Sequence, residues 1–122
     1  MKKKILLAED NVATVDVMQK ELEFLGYESI IAKDGKEAVE MAASCLPDLI
    51  IMDISLPKMD GIEATSLIRK NPKTQSIPIL AATAKALPGD KAKCLQAGCN
   101  DYIAKPFTHH ELGAAIKKLL NE

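Results

Sequence analysis

The sequence predicts a doubly wound α/β fold, an open sheet of five parallel strands in the order 2-1-3-4-5 with five helices on its two faces. Two observations carry this. Five short, continuously apolar runs alternate along the chain with amphipathic stretches, the pattern of strands covered on both sides. Five strand-helix units are too few to close an eight-unit barrel, so right-handed crossovers leave the open sheet. At 122 residues the chain fits one compact domain, expected to span 1–122.

The expected strands are residues 5–8, 29–32, 49–52, 77–82 and 102–104. After the first, Val12, Val15, Met18, Leu22 and Leu25 recur at helical spacing, and Gly26 follows where a helix would stop. Asp34 with Glu37, and Thr108 with Glu111, have the three-residue spacing that satisfies free amides at helix starts and open the second and fifth helices. Asp60-Gly61 and Pro88-Gly89-Asp90 punctuate the starts of the third and fourth. Leu112, Ala115, Ile116, Leu119 and Leu120 give the last helix its apolar face.

Composition narrows the function. Hydrophobic residues make up 48% and charged residues 27%, which excludes a disordered chain. Sixteen Lys and Arg against 17 Asp and Glu leave a net charge of -1, too little basic excess for a duplex-binding surface, so nucleic acid is not an expected direct partner. The basic run Lys2-Lys3-Lys4 is followed by an apolar stretch that ends at Glu9, too short for a signal peptide or a membrane span. Cys45, Cys94 and Cys99 show neither CxxC spacing nor partner histidines and read as reduced packing residues. A cytoplasmic protein is expected.

An open α/β sheet binds ligands at the carboxyl ends of its strands, where the strand order reverses. There the first strand runs into Glu9-Asp10, the third into Asp53, the fourth into Thr83 and the fifth into Lys105-Pro106. In the flavodoxin-like order 2-1-3-4-5 the first and third strands are neighbours, so three carboxylates converge. Such a cluster repels itself unless a cation lies nearby. With oxygen donors and no histidine or cysteine in these segments, the expected ion is Mg2+ or Mn2+ rather than zinc. Lys105 adds a cation and Thr83 a hydroxyl donor, and a carboxylate is a competent nucleophile. The set describes phosphoryl transfer, with Asp53 as the acceptor and Glu9 and Asp10 holding metal.

Glu9-Asp10, Asp53 within Met52-Asp53-Ile54-Ser55-Leu56-Pro57, Thr83-Ala84 and Lys105-Pro106 together resemble the response-regulator receiver domain, over the whole chain. The resemblance implies that Asp53 takes a phosphoryl group from a phosphohistidine on a sensor histidine kinase or a histidine phosphotransfer protein. It implies magnesium at the acid pair, Asp53 and the backbone carbonyl of Ser55, with Lys105 and Thr83 contacting the phosphoryl group. It further implies an aromatic switch residue at Tyr102, a cis Lys105-Pro106 bond, and a downstream protein partner on the surface of the fourth helix, fifth strand and fifth helix. Ser55 and Lys85, each two positions past a site residue, are placed to tune water access to phosphorylated Asp53. Residues 84–102 look most like stand-alone receivers and the receiver modules of hybrid kinases. With no output segment in the sequence, an adaptor or phosphate shuttle is expected, one that catalyses only its own phosphorylation and dephosphorylation.

Three other readings are weaker. An aspartyl-phosphate phosphatase of the haloacid dehalogenase type wants a second aspartate two residues past the first, where this chain has Ser55. A flavin or nucleotide carrier would need a Gly- or Ser/Thr-rich first loop, and Glu9-Asp10 would repel phosphate. A degenerate receiver would have lost an acid or the lysine. His109 and His110 read as exposed first-turn residues without chemistry, and Met52 and Met59 as core or crevice rim.

Overall fold

The computed structural model describes residues 2–84 and 88–122, and Lys85 lies outside them. In chain order the elements are β1 (Lys4–Ala8), α1 (Val12–Phe24), β2 (Glu28–Ala32), α2 (Gly35–Cys45), β3 (Leu49–Asp53), α3 (Gly61–Lys70), β4 (Ile79–Thr83), α4 (Pro88–Ala97), β5 (Asp101–Ala104) and α5 (His109–Leu120). The strands pair in parallel in the order β2-β1-β3-β4-β5.

The period-2 geometry of the strands explains why their sequences are apolar throughout. Leu6, Ala8, Ile50, Met52, Ile79 and Ala81 point to one face and pack with Ala38, Ala42, Ala64, Ile68 and Cys94 of α2, α3 and α4. Their neighbours Ile5, Leu7, Leu49, Ile51, Leu80 and Ala82 point to the other face and meet Met18, Leu22, Leu112 and Ile116 of α1 and α5. Each fully buried aliphatic side chain contributes about 1.5–3 kcal/mol. The sheet between two cores is therefore a stiff platform for whatever its strand ends carry.

Strand ends other than the start of β4 fall within one residue of expectation, and one helix position also departs from it. β4 begins at Ile79 rather than at 77 and runs through Thr83. Pro78 has no N–H to donate to a ladder, and only its carbonyl takes part, accepting from the Ile50 N–H at 2.9 Å. In α1, Met18 and Leu22 are buried, but Val12 is 76% exposed. Its turn follows directly on the end of β1, where the helix has no sheet to cover, so the apolar spacing outruns the core.

The helix starts behave as their sequences suggest. The Asp34 side chain accepts from the Glu37 N–H at 2.8 Å, and Asp60 accepts from the Glu63 N–H at 2.8 Å. Thr108 and Glu111 form the full reciprocal box. At α2 the return bond goes instead to the N–H of Lys33, from which Glu37 accepts at 3.2 Å. Asn11 also caps α1, through the Thr14 N–H. All three cysteines are free thiols. Burial pushes the thiol pKa of Cys94 up and that of Cys99 to about 11, so both stay protonated and serve packing. His109 and His110 are exposed, with His109 edge-on to Phe24 at 5.9 Å. Among the described residues no helix is long and apolar enough to cross a membrane.

Candidate functional site

The sheet register assembles the site. Ala8 pairs with Met52, so the next residue on each chain, Glu9 and Asp53, emerge side by side. Asp53 pairs with Ala82 and Thr83 with Ala104, which brings Thr83 and Lys105 to the same edge. The Lys105 N–H donates to the Thr83 carbonyl at 2.8 Å, and the Lys105-Pro106 bond is cis.

Glu9, Asp53 and Thr83 are buried, while Asp10 is exposed. One carboxylate oxygen of each acid, Glu9, Asp10 and Asp53, lies within 4.8 Å of the others. Asp53 Oδ1 accepts from the Ser55 N–H at 3.1 Å, and Asp53 Oδ2 lies 3.8 Å from Lys105 Nζ. Lys105 sits closer to Glu9, donating to Oε1 at 2.6 Å, while Glu9 Oε2 accepts from the N–H groups of Asp10 and Asn11 at 3.0 and 3.2 Å. Three carboxylates against one ammonium leave surplus negative charge in a partly buried pocket, which a divalent cation would relieve. An all-oxygen donor set with an exposed member fits magnesium, which keeps several waters.

Glycines hold the loop between Asp53 and α3. A Cβ on Gly61 would collide with the Asp53 carbonyl, and one on Gly35 with the Met59 carbonyl, so α2 and α3 approach this loop at backbone distance. Lys58, with φ +65°, reaches Asp34 at 3.6 Å. The Glu37 N–H, and then Lys58, hold the Asp34 carboxyl below the usual carboxylate range. These contacts were not read from the sequence, although the pairs Asp34-Gly35 and Asp60-Gly61 are the available signal. Tyr102 is half-buried on β5 against the α2-α3-α4 core. Burial first, and then Asp90 and Cys94 of α4, push its phenol pKa up. Lys105 also lines a groove of about 360 Å³ with Ala13, Thr14, Val17, Met18, Glu21, Pro106 and Phe107.

Strand order, register and this cluster together place an acidic, lysine-flanked crevice at the carboxyl ends of the strands of a doubly wound sheet. The chain belongs to the response-regulator receiver family: the family model described as "Response regulator receiver domain" matches residues 5–117. It is 36% identical over 122 residues to the polar-differentiation response regulator DivK of Brucella anthropi, covering 100% of this chain and 99% of that protein. Against the alkaline phosphatase synthesis transcriptional regulatory protein PhoP of Bacillus subtilis it is 42% identical over 120 residues, covering 98% of this chain and 49% of that protein. The chain thus spans about half the length of PhoP. Among solved structures, the receiver domain of the Pseudomonas aeruginosa sensor histidine kinase PA1611, with a magnesium ion coordinated in its active site cleft, superposes with a TM-score of 0.94. It is 42% identical and both chains are covered in full. The chemotaxis protein CheY4 of Vibrio cholerae gives a TM-score of 0.92 at 28% identity, covering 98% of this chain and 100% of that one. The chain is therefore a receiver domain of the two-component response regulators, and this assignment replaces the phosphatase reading.

Proposed function

We propose that Asp53 is the phosphoacceptor of this receiver domain, which spans residues 1–122 and works in the cytoplasm as a phosphorylation-dependent protein-binding switch. The observation that carries the reading is Asp53 Oδ2 standing 3.8 Å from Lys105 Nζ within the carboxylate cluster. The donor is a phosphohistidine on a kinase or phosphotransfer protein. Its P–N bond breaks as the bond from Asp53 Oδ2 to phosphorus forms, and the imidazole leaves. The groove beside Lys105, apolar but for Glu21 and Lys105, suits a donor helix. Asp10, Asp53, the Ser55 carbonyl and Glu9 are the groups that would hold Mg2+, or Mn2+ in its place. When bound, the cation neutralises charge on the phosphoryl oxygens.

Lys105 supplies a fixed positive charge on the other side of the phosphoryl group, and Thr83 a hydroxyl at the same edge. Tyr102, beside α4, couples the site to the face of α4, β5 and α5, where a downstream protein binds. The domain turns over its own acyl phosphate only, and it needs neither nucleic acid nor a membrane for this. The reading is tested by incubating the chain with acetyl phosphate. One phosphoryl group per chain, dependent on Mg2+ and mapped to Asp53 by borohydride reduction and peptide mass spectrometry, is the expected result. No mass gain, or a label on another residue, would overturn it. Mg2+ at ten times its dissociation constant should stabilise the fold by about 1.4 kcal/mol, readable as a rise in Tm. A Tm that Mg2+ leaves unmoved would count against the cluster as its seat.

A further inference from the structure

The loop from Asp53 to α3 is fastened at its base and again at its tip. At the base the Gly61 N–H donates to the Ile54 carbonyl at 3.1 Å, which closes residues 55–60 into one excursion. The Ile54 N–H donates in turn to the Ala82 carbonyl at 3.3 Å, so the sheet sets this end. At the tip the Met59 N–H donates to the Pro57 carbonyl at 2.7 Å across Lys58, where φ is +65°. A three-residue turn around a positive-φ lysine is strained and persists only where its surroundings enforce it. The start of α2 supplies that support. A Cβ on Gly35 would stand 1.9 Å from the Met59 carbonyl oxygen and 2.7 Å from its carbon, so helix and loop meet backbone to backbone. Gly35 is not among the positive-φ glycines, so it is required for room and not for its own conformation. Beside it Asp34 Oδ2 lies 3.6 Å from Lys58 Nζ, while Oδ1 caps α2 through the Glu37 N–H. Ser55 and its carbonyl lie between these two fastenings.

We propose that Gly35 is a positioning residue for the cation: by letting α2 seat the Met59 carbonyl it sets the path of residues 55–59, and with it the Ser55 carbonyl, from outside the carboxylate cluster. This rests on the reading of Asp53 as phosphoacceptor and of the Ser55 carbonyl as one of the groups that hold Mg2+. Asp53 itself stays where its pairing with Ala82 puts it, so a disturbance at Gly35 alters the hold on the cation and spares the nucleophile.

The test compares wild type with Gly35→Ala in the full chain. Mg2+ is titrated against the backbone amide signals of residues 53–59 in 15N NMR, which gives a dissociation constant with no phosphoryl donor present. Gly35→Ala should bind Mg2+ on the order of tenfold more weakly, the usual cost of disturbing a group that supports a metal ligand. With acetyl phosphate at saturating Mg2+, its rate should fall by less than about threefold, which separates a loss of affinity from a loss of chemistry. The proposal is overturned if folded Gly35→Ala binds Mg2+ within about twofold of wild type, or if affinity and saturating rate fall by the same factor, the mark of general disruption. It is equally overturned if Tm rises, as an alanine standing in open space at a helix start would make it. Should Gly35→Ala not fold, Asp34→Asn decides, since asparagine keeps the cap and loses the ion pair to Lys58. Mg2+ bound about threefold more weakly there supports the proposal, and wild-type affinity overturns it. A wild type that binds Mg2+ more tightly than Gly35→Ala yet takes up no phosphoryl group would sink the acceptor reading alone.

Discussion

Asp53→Asn is expected to abolish phosphoryl uptake from acetyl phosphate, lowering the rate by on the order of 10³ or more, about 4 kcal/mol in the barrier. An amide oxygen is a poor nucleophile, and no neighbouring carboxylate can replace Asp53. Asp10 is exposed, and both oxygens of Glu9 are engaged. Asp53 is buried, takes a backbone donor on one oxygen and keeps the other 3.8 Å from the Lys105 ammonium, a looser hold than the 2.6 Å contact that engages Glu9. The fold should survive. Lys105 retains its closer partner Glu9 at 2.6 Å, and removing one of three clustered carboxylates relieves repulsion, so the Tm in metal-free buffer should equal or exceed that of wild type. Intact-mass kinetics and a melting curve on the same preparation check both halves. A variant that is still labelled at a comparable rate would move the acceptor away from Asp53, and one that fails to fold would make the residue structural.

The placement of Asp53, Glu9, Thr83 and Lys105 was legible because parallel strands buried on both faces must be apolar, so a polar residue directly after such a run marks a strand end. Strand order then brings the ends together without any side-chain detail. The order β2-β1-β3-β4-β5 and the caps at Asp34, Asp60 and Thr108 were readable for the same reason, being local or topological. What stayed hidden depends on contacts between distant segments. The hydrogen bond from the Lys105 ammonium to Glu9 joins residues 96 positions apart. The fit of Gly35 under the Met59 carbonyl needs two helices docked before it exists. Val12 has the spacing of a core residue yet is exposed, because periodicity reports a helix face and not how far the sheet extends beneath it. Arg69, in the last turn of α3, was not singled out from the sequence, and it is the largest omission.

Arg69→Ala is expected to destabilise the domain by about 3 kcal/mol, lowering Tm by roughly 12 °C. The guanidinium donates through Nε to the Gly98 carbonyl at 2.9 Å. It also donates to the Gln75 and Ile77 carbonyls at 3.1 and 2.8 Å, and to Asn100 Oδ1 at 2.7 Å. Asn100 Oδ1 in turn accepts from the Ile79 N–H at 2.8 Å. One side chain therefore ties the connection before β4 to the connection before β5, and its stem lies over Gly98, where φ is +120°. Burial lowers the pKa of Arg69 from its ordinary value, which marks a desolvated cation dependent on these acceptors. Truncation would strip partly buried carbonyls of their donor and remove the packing of the stem. Arg69→Lys should recover less than half of the loss, because a point ammonium cannot span acceptors arranged around a planar fork. Urea or thermal unfolding reads the result, and a loss below about 0.5 kcal/mol, within the range of ordinary surface substitutions, would show the network to be incidental. The effect should extend to the site. β5 starts at Asp101, directly after Asn100, and carries Tyr102 with Lys105 just beyond its end. Loosening that anchor should slow phosphorylation of Asp53 even at temperatures where the variant remains folded.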